Sequence, residues 1–412
     1  MKRAPGPKGG LILGSLPAFK ADALGFLTKA VQDHGDIVRF RFGPITAHVV
    51  NHPDFVEHVL SRNSKNYDKT TRSADRIAAT TGQSLLSPNQ NTWQRHRKLI
   101  QPAFQPRCFD NIGPAIDAFL TPALDRWQDT DTIDIVDEMM QLVIGAVVKI
   151  LFSTDIDPQD ITAPLEVILA DTWRRIEAPL DTSMLSPLLH KRAFKDAVQQ
   201  IDQIVFDQIR TRRGSTQRPD DVLSRLLAAH ETEGDAQLGD QELRDAAVTL
   251  LLAGHETTAN ALAWAFIHGG PSDADPQHVF AEAIRLYPSI WVIERRAINA
   301  DVIGDYHIPR GSAVLISPYL LHRHPAFWSD PNDFDPSRFA KADTRPRHAY
   351  LPFGLGQHRC VGLHLAKVIA GHVMTQVNAR YQLRLCRGQT LGTNPGITLR
   401  HKSRVMMNVA KR

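Results

Sequence analysis

Apolar and polar positions first alternate at Val38, Phe40 and Phe42, interleaved with Arg39 and Arg41. Gly43-Pro44 follows, and the apolar run resumes from Ala47 to Val50. A period of two broken by a turn predicts a small β-hairpin. Pro53 to Leu60 predicts a short helix. Residues 62–91 show little periodicity and carry Asn, Ser, Thr, Gly and Pro, which predicts a long loop, usually a functional feature of a compact domain. From Thr92 to about Arg213 a helical period dominates, with breaks at Pro102, Pro106, Pro158 and Pro187. Segments 211–221 and 230–240 read as polar connectors. Asp240 is placed to cap a long apolar helix from about Gln241 to His268, closed by Gly269-Gly270-Pro271. A second helix covers Pro276 to Leu286. Short strands near 291–303 and 312–316, an ordered meander over 322–359, and a last helix from just after Cys360 to about Asn378 complete the pattern. The pattern predicts a mainly α chain with small β-sheets at its edges.

The chain has 412 residues, 42% of them hydrophobic and 22% charged. That supports a large buried core and argues against global disorder. The net charge of +4 comes without a dense Lys/Arg run, so a nucleic-acid partner is not indicated. A local basic patch for an acidic protein partner stays open. Cys108, Cys360 and Cys386 are far apart and odd in number. No C-x-x-C pair exists, which argues against a disulfide framework or a zinc knuckle and points to a reducing cytoplasm. The apolar run Leu11-Ile12-Leu13 is too short for a signal peptide. Ala246 to Ile267 is the most apolar stretch, yet it contains His255, Glu256, Thr257, Thr258 and Asn260. Polar groups are costly at a bilayer centre, so a buried core helix is expected rather than a membrane anchor.

The segment Phe353-Gly354-Leu355-Gly356-Gln357-His358-Arg359-Cys360-Val361-Gly362 carries the most chemistry. One cysteine stands among three glycines just ahead of a helix. Glycines permit tight turns and close backbone approach to a flat ligand. A helix N-terminus favours thiolate over thiol, and a thiolate pushes electron density onto haem iron. A lone cysteine is more often a buried structural residue. The pattern F-x-x-G-x-x-x-C-x-G after a proline, however, arises by chance in only roughly 10⁻⁴ of chains of this size at average composition.

A second constellation lies inside the long apolar helix, at Ala253-Gly254-His255-Glu256-Thr257-Thr258. Glycine in a helix interior costs about 1 kcal/mol relative to alanine, which suggests close packing or a local distortion. Glu256 and Thr257 place an acid and an alcohol there, able to relay protons. The apolar flanks Leu250-Leu251-Leu252 and Ala261-Leu262-Ala263-Trp264 argue against a solvated face. His255-Glu256 opens an H-E-x-x-H zinc pattern, but residue 259 is Ala, so that pattern is incomplete.

These two segments resemble the cysteine-ligand loop and the acid–alcohol motif of the cytochrome P450 superfamily, and the resemblance runs from Ala4-Pro5-Gly6-Pro7 to the end of the chain. It implies a single haem domain over 1–412 with haem b, iron protoporphyrin IX, ligated by Cys360. Phe353, Gly354 and Gly362 shape that loop, and His358 stands where family members contact a haem propionate. The resemblance implies further that Glu256 and Thr257 steer protonation of bound dioxygen. In W-x-x-x-R, Trp93 and Arg97 would bind propionates, as would Arg295. Glu282 and Arg285 of E-x-x-R, with Arg338 of the meander, would form a buried network bracing the cysteine loop. Cys108 and Cys386 are left as structural. One departure is large: Thr257 and Glu282 are only 25 positions apart, an unusually short connection between the long central helix and the E-x-x-R helix. Family members usually have an extra helix there, near the face where redox partners dock.

The activity implied is a monooxygenase acting on a hydrophobic small molecule of terpenoid, steroid or fatty acyl type with O2. The chain shows no flavin or nicotinamide motif, so its two electrons would come from a ferredoxin and ferredoxin reductase. A cytoplasmic monomer is expected. The expected cavity lining is the 67–92 loop, Val248 to Thr257, Ser289 to Glu294 and the Gly396-Ile397 turn, with Leu251 among its apolar residues. Two other readings stay open: a haem-thiolate peroxygenase or isomerase, against which the retained Glu256 and Thr257 count, and a non-catalytic haem-binding relic, against which the intact motifs count.

Overall fold

The structure, a computed structural model, describes residues 2–177, 188–232, 239–269, 274–340 and 344–412. Pro187, most of the 230–240 connector and the Gly270-Pro271-Ser272-Asp273 turn lie outside these. The chain divides into two compact units, each assembled from distant segments. The first joins Met1–Thr71 to Ala281–Cys360, the second Arg72–Phe280 to Val361–Arg412.

The first unit is built on a five-stranded sheet. The expected hairpin, Ile37–Phe42 with Ile45–Val50, is antiparallel, with Phe42 opposite Ile45. Its second strand runs parallel to Ala313–Ile316, which pairs antiparallel with Ile293–Ala297. Tyr67–Asp68 closes the far edge. One face buries Ile37, Val50, Val314 and Ile316 with Ile303, Ile308 and Leu351, while Ile293 and Leu355 pack against the same core. β-branched side chains fit such a pleated, half-buried surface. The helix expected from Pro53 runs to Glu57 and continues as a π turn over His58–Arg62.

The second unit is helical, with a three-stranded sheet (Thr132–Asp134, Met406–Lys411, Tyr381–Leu385) and a ribbon of Thr393–Pro395 and Leu399–His401. Its central helix runs Asp240–His268. Asp240 is the first helical residue rather than the cap. The amide of Gly239 before it donates to the Glu242 carboxylate at 3.1 Å, so the acid three residues in satisfies the end. Gly269 ends the helix with φ +61°. The helix packs along Ile135–Phe152, whose N-terminus is capped by Asp134 Oδ1 at 3.1 Å from the Val136 amide.

Part of the predicted 62–91 loop is a helix, Arg72–Thr81. Its ten residues include one large aliphatic, Ile77, so no apolar stripe announces it. Tertiary bonds hold its end instead. Gly82, at φ +74°, lets the chain pass the Asp245 carboxylate, which accepts from the Gln83 amide at 2.7 Å. A Cβ at Gly82 would lie 2.0 Å from that carboxyl. Among the described residues, no helix is long and apolar enough to cross a membrane.

Burial holds several histidines neutral. The pKa values of His48, His255, His268 and His401 fall from 6.5 to about 4, and that of His322 to about 3. Between those values and 6.5 the unfolded chain binds protons that the folded chain refuses, so stability falls as pH falls through that window. Each such group costs up to about 1.4 kcal/mol per pH unit. Urea unfolding at a series of pH values from about 7 down to 5 is expected to show a falling free energy, and a flat profile would contradict these buried neutral rings.

Candidate active site

The E-x-x-R helix Pro276–Leu286 has the predicted bounds, and its Glu282 and Arg285 belong to the first unit. Glu282 and Arg285 are fully buried. Their pairing is bidentate: Arg285 Nε meets Glu282 Oε2 at 2.6 Å and Nη2 meets Oε1 at 2.7 Å. The other three N–H groups of Arg285 donate to the carbonyls of His322 at 2.8 Å, Pro331 at 2.7 Å and Asp333 at 2.9 Å. All five donors of the guanidinium are thus used. Glu282 Oε1 also accepts from the Asp335 amide at 2.8 Å and lies 3.3 Å from Arg338 Nε. Arg338 in turn donates to the carbonyls of Ser329 and Asp330. The three expected charges therefore meet, and what they hold is the backbone of the meander.

The link to the cysteine loop is a residue the sequence did not single out. His322 Nε2 accepts from the Leu351 amide at 2.9 Å, and its Nδ1 lies 3.0 Å from the Arg285 carbonyl. An acceptor at Nε2 fixes the proton on Nδ1, the neutral tautomer that burial also favours. From Leu351 the bonds continue. The Gly354 amide donates to Leu351 O at 3.1 Å, and the Cys360 amide to Phe353 O at 2.9 Å. Gly354 and Gly356 both take positive φ, +71° and +69°. A Cβ on Gly356 would stand 2.0 Å from the Leu60 carbonyl. Close approach of the Leu60 backbone, rather than of a flat ligand, is what requires glycine at this position. Cys360 is exposed, whereas Cys108 and Cys386 are half-buried, and none of the three is in a disulfide.

Arg295 lies in the strand Ile293–Ala297, which begins beside this loop, Ile293 Cδ1 being 4.0 Å from the Gly354 Cβ position. Its guanidinium is buried and donates to the Glu294 carbonyl at 2.8 Å. Among the described residues it forms no ion pair with a carboxylate, and burial lowers its pKa to about 10. A buried cation short of an anion, in the unit that holds an exposed thiol, suits a ligand that offers both a metal that takes thiolate and carboxylates. Haem offers both, so these residues fit it.

In the second unit, Trp93, His96 and Arg97 lie on the helix Gln90–Ile100, with Trp93 and His96 buried. Arg97 Nε donates to Gln101 at 2.9 Å. His96 Nε2 is 3.4 Å from Glu242 Oε1. From Leu243 to Ile267 every residue of the central helix is buried except Ala253, Gly254 and Thr257. These three sit at i, i+1 and i+4, so they form one accessible facet in an otherwise closed helix. Leu251, expected to line a cavity, is fully buried. Gly254 is not explained by close packing or distortion: the helix is α throughout, and a Cβ there would meet only Val147 methyls at an ordinary 3.7 Å. Its smallness widens the facet instead. Thr257 Oγ1 donates to the Ala253 carbonyl at 2.6 Å. Glu256 is buried beside it and ion-paired with Arg400 Nε.

These features agree with the comparisons. The Cytochrome P450 family model matches residues 4–268 and 277–408, the break falling at the short connection. Cyclooctat-9-en-7-ol 5-monooxygenase of Streptomyces melanosporofaciens is 32% identical over 92% of this chain and 89% of its own. Cyclooctatin synthase of the same organism is 31% identical over 89% and 87%. Pentalenene oxygenase of Streptomyces avermitilis is 29% identical over 81% of each. A solved structure, the cytochrome P450DA heme domain, superposes with a TM-score of 0.87 at 22% identity, covering all of this chain and 98% of that one. The chain belongs to the cytochrome P450 family. Its fold is the haem domain of that family, and its enzyme class is the cytochrome P450 monooxygenase.

Replacing Arg285 with Leu would leave the Glu282 carboxylate buried without its cation, a loss of about 3–5 kcal/mol. Urea unfolding should show that loss, and the double variant Glu282→Leu/Arg285→Leu should recover part of it. A single variant as stable as wild type would contradict the brace.

Proposed function

We propose that this enzyme hydroxylates or otherwise oxidises a hydrophobic small molecule of terpenoid type. In this reading Cys360 is the ligand of haem b, and Glu256 and Thr257 handle protons. The observation that carries it is the facet of Ala253, Gly254 and Thr257, which bares an alcohol beside a buried acid in a helix buried at every other position from Leu243 to Ile267. Bound haem with a thiolate ligand supplies the activation of dioxygen that no side chain can supply. Cys360, His358, Arg295, Trp93 and Arg97 would hold it, together with the loop formed by Phe353, Gly354 and Gly362.

The chain's own groups then have separable tasks. Thr257 gives its proton to the Ala253 carbonyl, so toward a bound molecule its Oγ1 acts as an acceptor. It therefore receives a hydrogen bond and hands a proton on only as it takes one. Glu256, the adjacent carboxylate, is the group able to bring that proton from outside. Apolar neighbours exclude bulk water and strengthen both interactions. The substrate class is supported by the relatives, whose names specify pentalenene, a hydrocarbon, and cyclooctat-9-en-7-ol, an alcohol with one hydroxyl. Electrons would come from a ferredoxin and its reductase, in the cytoplasm, to a monomeric enzyme.

Two measurements test the reading. Cys360→Ser should abolish the red-shifted carbon monoxide band of the ferrous protein, and an unmoved band would remove Cys360 as ligand. A positioned proton-transfer group is worth about 10²- to 10⁴-fold. Thr257→Ala should therefore cut the yield of product per reductant consumed by about tenfold or more while leaving the carbon monoxide band in place. A fully coupled Thr257→Ala enzyme would exclude the alcohol from proton delivery.

A further inference from the structure

Glu256 has a partner that the acid–alcohol motif does not specify. The Glu256 side chain is 3% exposed, and its Oε1 is ion-paired with Nε of Arg400. Its other oxygen, Oε2, is buried with no hydrogen-bond partner among the described residues. Arg400 does not belong to the helix. It stands in the strand Leu399–His401 of the second unit's ribbon, opposite Asn394, with a third of its side chain exposed. The neighbouring ring of His255 adds no positive charge, because burial and then Arg400 itself keep it neutral.

A carboxylate this deeply buried with no cation would hold its proton permanently, since desolvation penalises the anion. A carboxylate clamped on both oxygens would have no atom left to carry a proton. The arrangement here is between those limits: one oxygen is anchored to a cation and the other is left open. We propose that Arg400 is the positioning residue of proton delivery, giving the buried Glu256 carboxyl its counter-charge and anchoring Oε1 so that Oε2 is the atom that takes up and releases the proton. The proposal rests on the reading of Glu256 as the proton carrier. It adds that the carrier's charge and aim are set by the ribbon rather than by the helix that bears it.

The test uses the haem-loaded full chain as Arg400→Gln, Arg400→Lys, Glu256→Gln and Glu256→Gln/Arg400→Gln. Infrared difference spectra in H2O and D2O report the protonated carboxyl band, which needs neither substrate nor turnover. Wild type and Arg400→Lys should lack a Glu256 band. Arg400→Gln should gain one, and the double variant should lose it again. Oxygen consumption driven by a plant-type ferredoxin and its reductase should fall about tenfold in Arg400→Gln, part of the 10²- to 10⁴-fold worth of a placed proton-transfer group. It should be restored largely by Arg400→Lys and fall no further when Arg400→Gln is added to Glu256→Gln. No new band in Arg400→Gln, a lysine variant as slow as the glutamine one, or additive losses in the double variant would each overturn the proposal. A new band in Arg400→Gln with an unimpaired Glu256→Gln enzyme would leave the anchor standing and reject the proton-carrier reading itself. Should Arg400→Gln fail to fold, the lysine variant decides: it must keep the wild-type rate and spectrum.

Discussion

Arg285 sits in the dry interior of the first unit with five N–H groups and five oxygens to receive them. Two oxygens come from Glu282 and three from backbone carbonyls of residues 322, 331 and 333. A buried ion pair is poor evidence of net stability, because desolvation consumes most of its Coulombic gain. Its worth here is geometric. A segment with almost no regular secondary structure must be held somewhere, and a planar cation with fixed donor directions serves as its template. The fixed shape then passes through the His322 ring to Leu351 and along backbone bonds to Phe353 and Cys360. The placement of the thiol is a remote consequence of one saturated guanidinium.

The second unit solves a different problem, that of keeping polar groups inside an apolar helix. Its central helix buries Glu256, Asn260 and His255 along with its leucines. The histidine is carried neutral, the acid is ion-paired with Arg400, and the alcohol donates to its own helix backbone. Each answer avoids an unpaired buried charge, the most expensive state available. The accessible facet is made by small residues rather than by a break in the helix, so function is obtained without distorting the element that supports it.

Long periodic elements were legible from the residues. The central helix, the Pro276–Leu286 helix and the hairpin lie where apolar spacing put them, because burial enforces that spacing. The Arg72–Thr81 helix was not legible. With only Ile77 as a large aliphatic, it is held by Gly82 and Asp245 from outside its own window. The glycines of the cysteine loop announced their positive φ, whereas Gly254 misled, since its role is to leave space rather than to permit close contact. Arg285 and Glu282 could be paired from their spacing, but the carbonyls that complete the site come from irregular backbone that no pattern encodes. His322 and Arg400 gave no signal at all. Each meets its partner across a long stretch of chain, and a lone His or Arg in sequence carries no record of what it will face.

Saturation of the Arg285 donors also constrains how this chain can change over generations. A lysine there has three donors in a different geometry, and an apolar residue strands the acid. Either partner altered alone passes through a molecule that folds poorly, so drift at one position is blocked unless the other moves with it. The pair itself is locked by co-dependence.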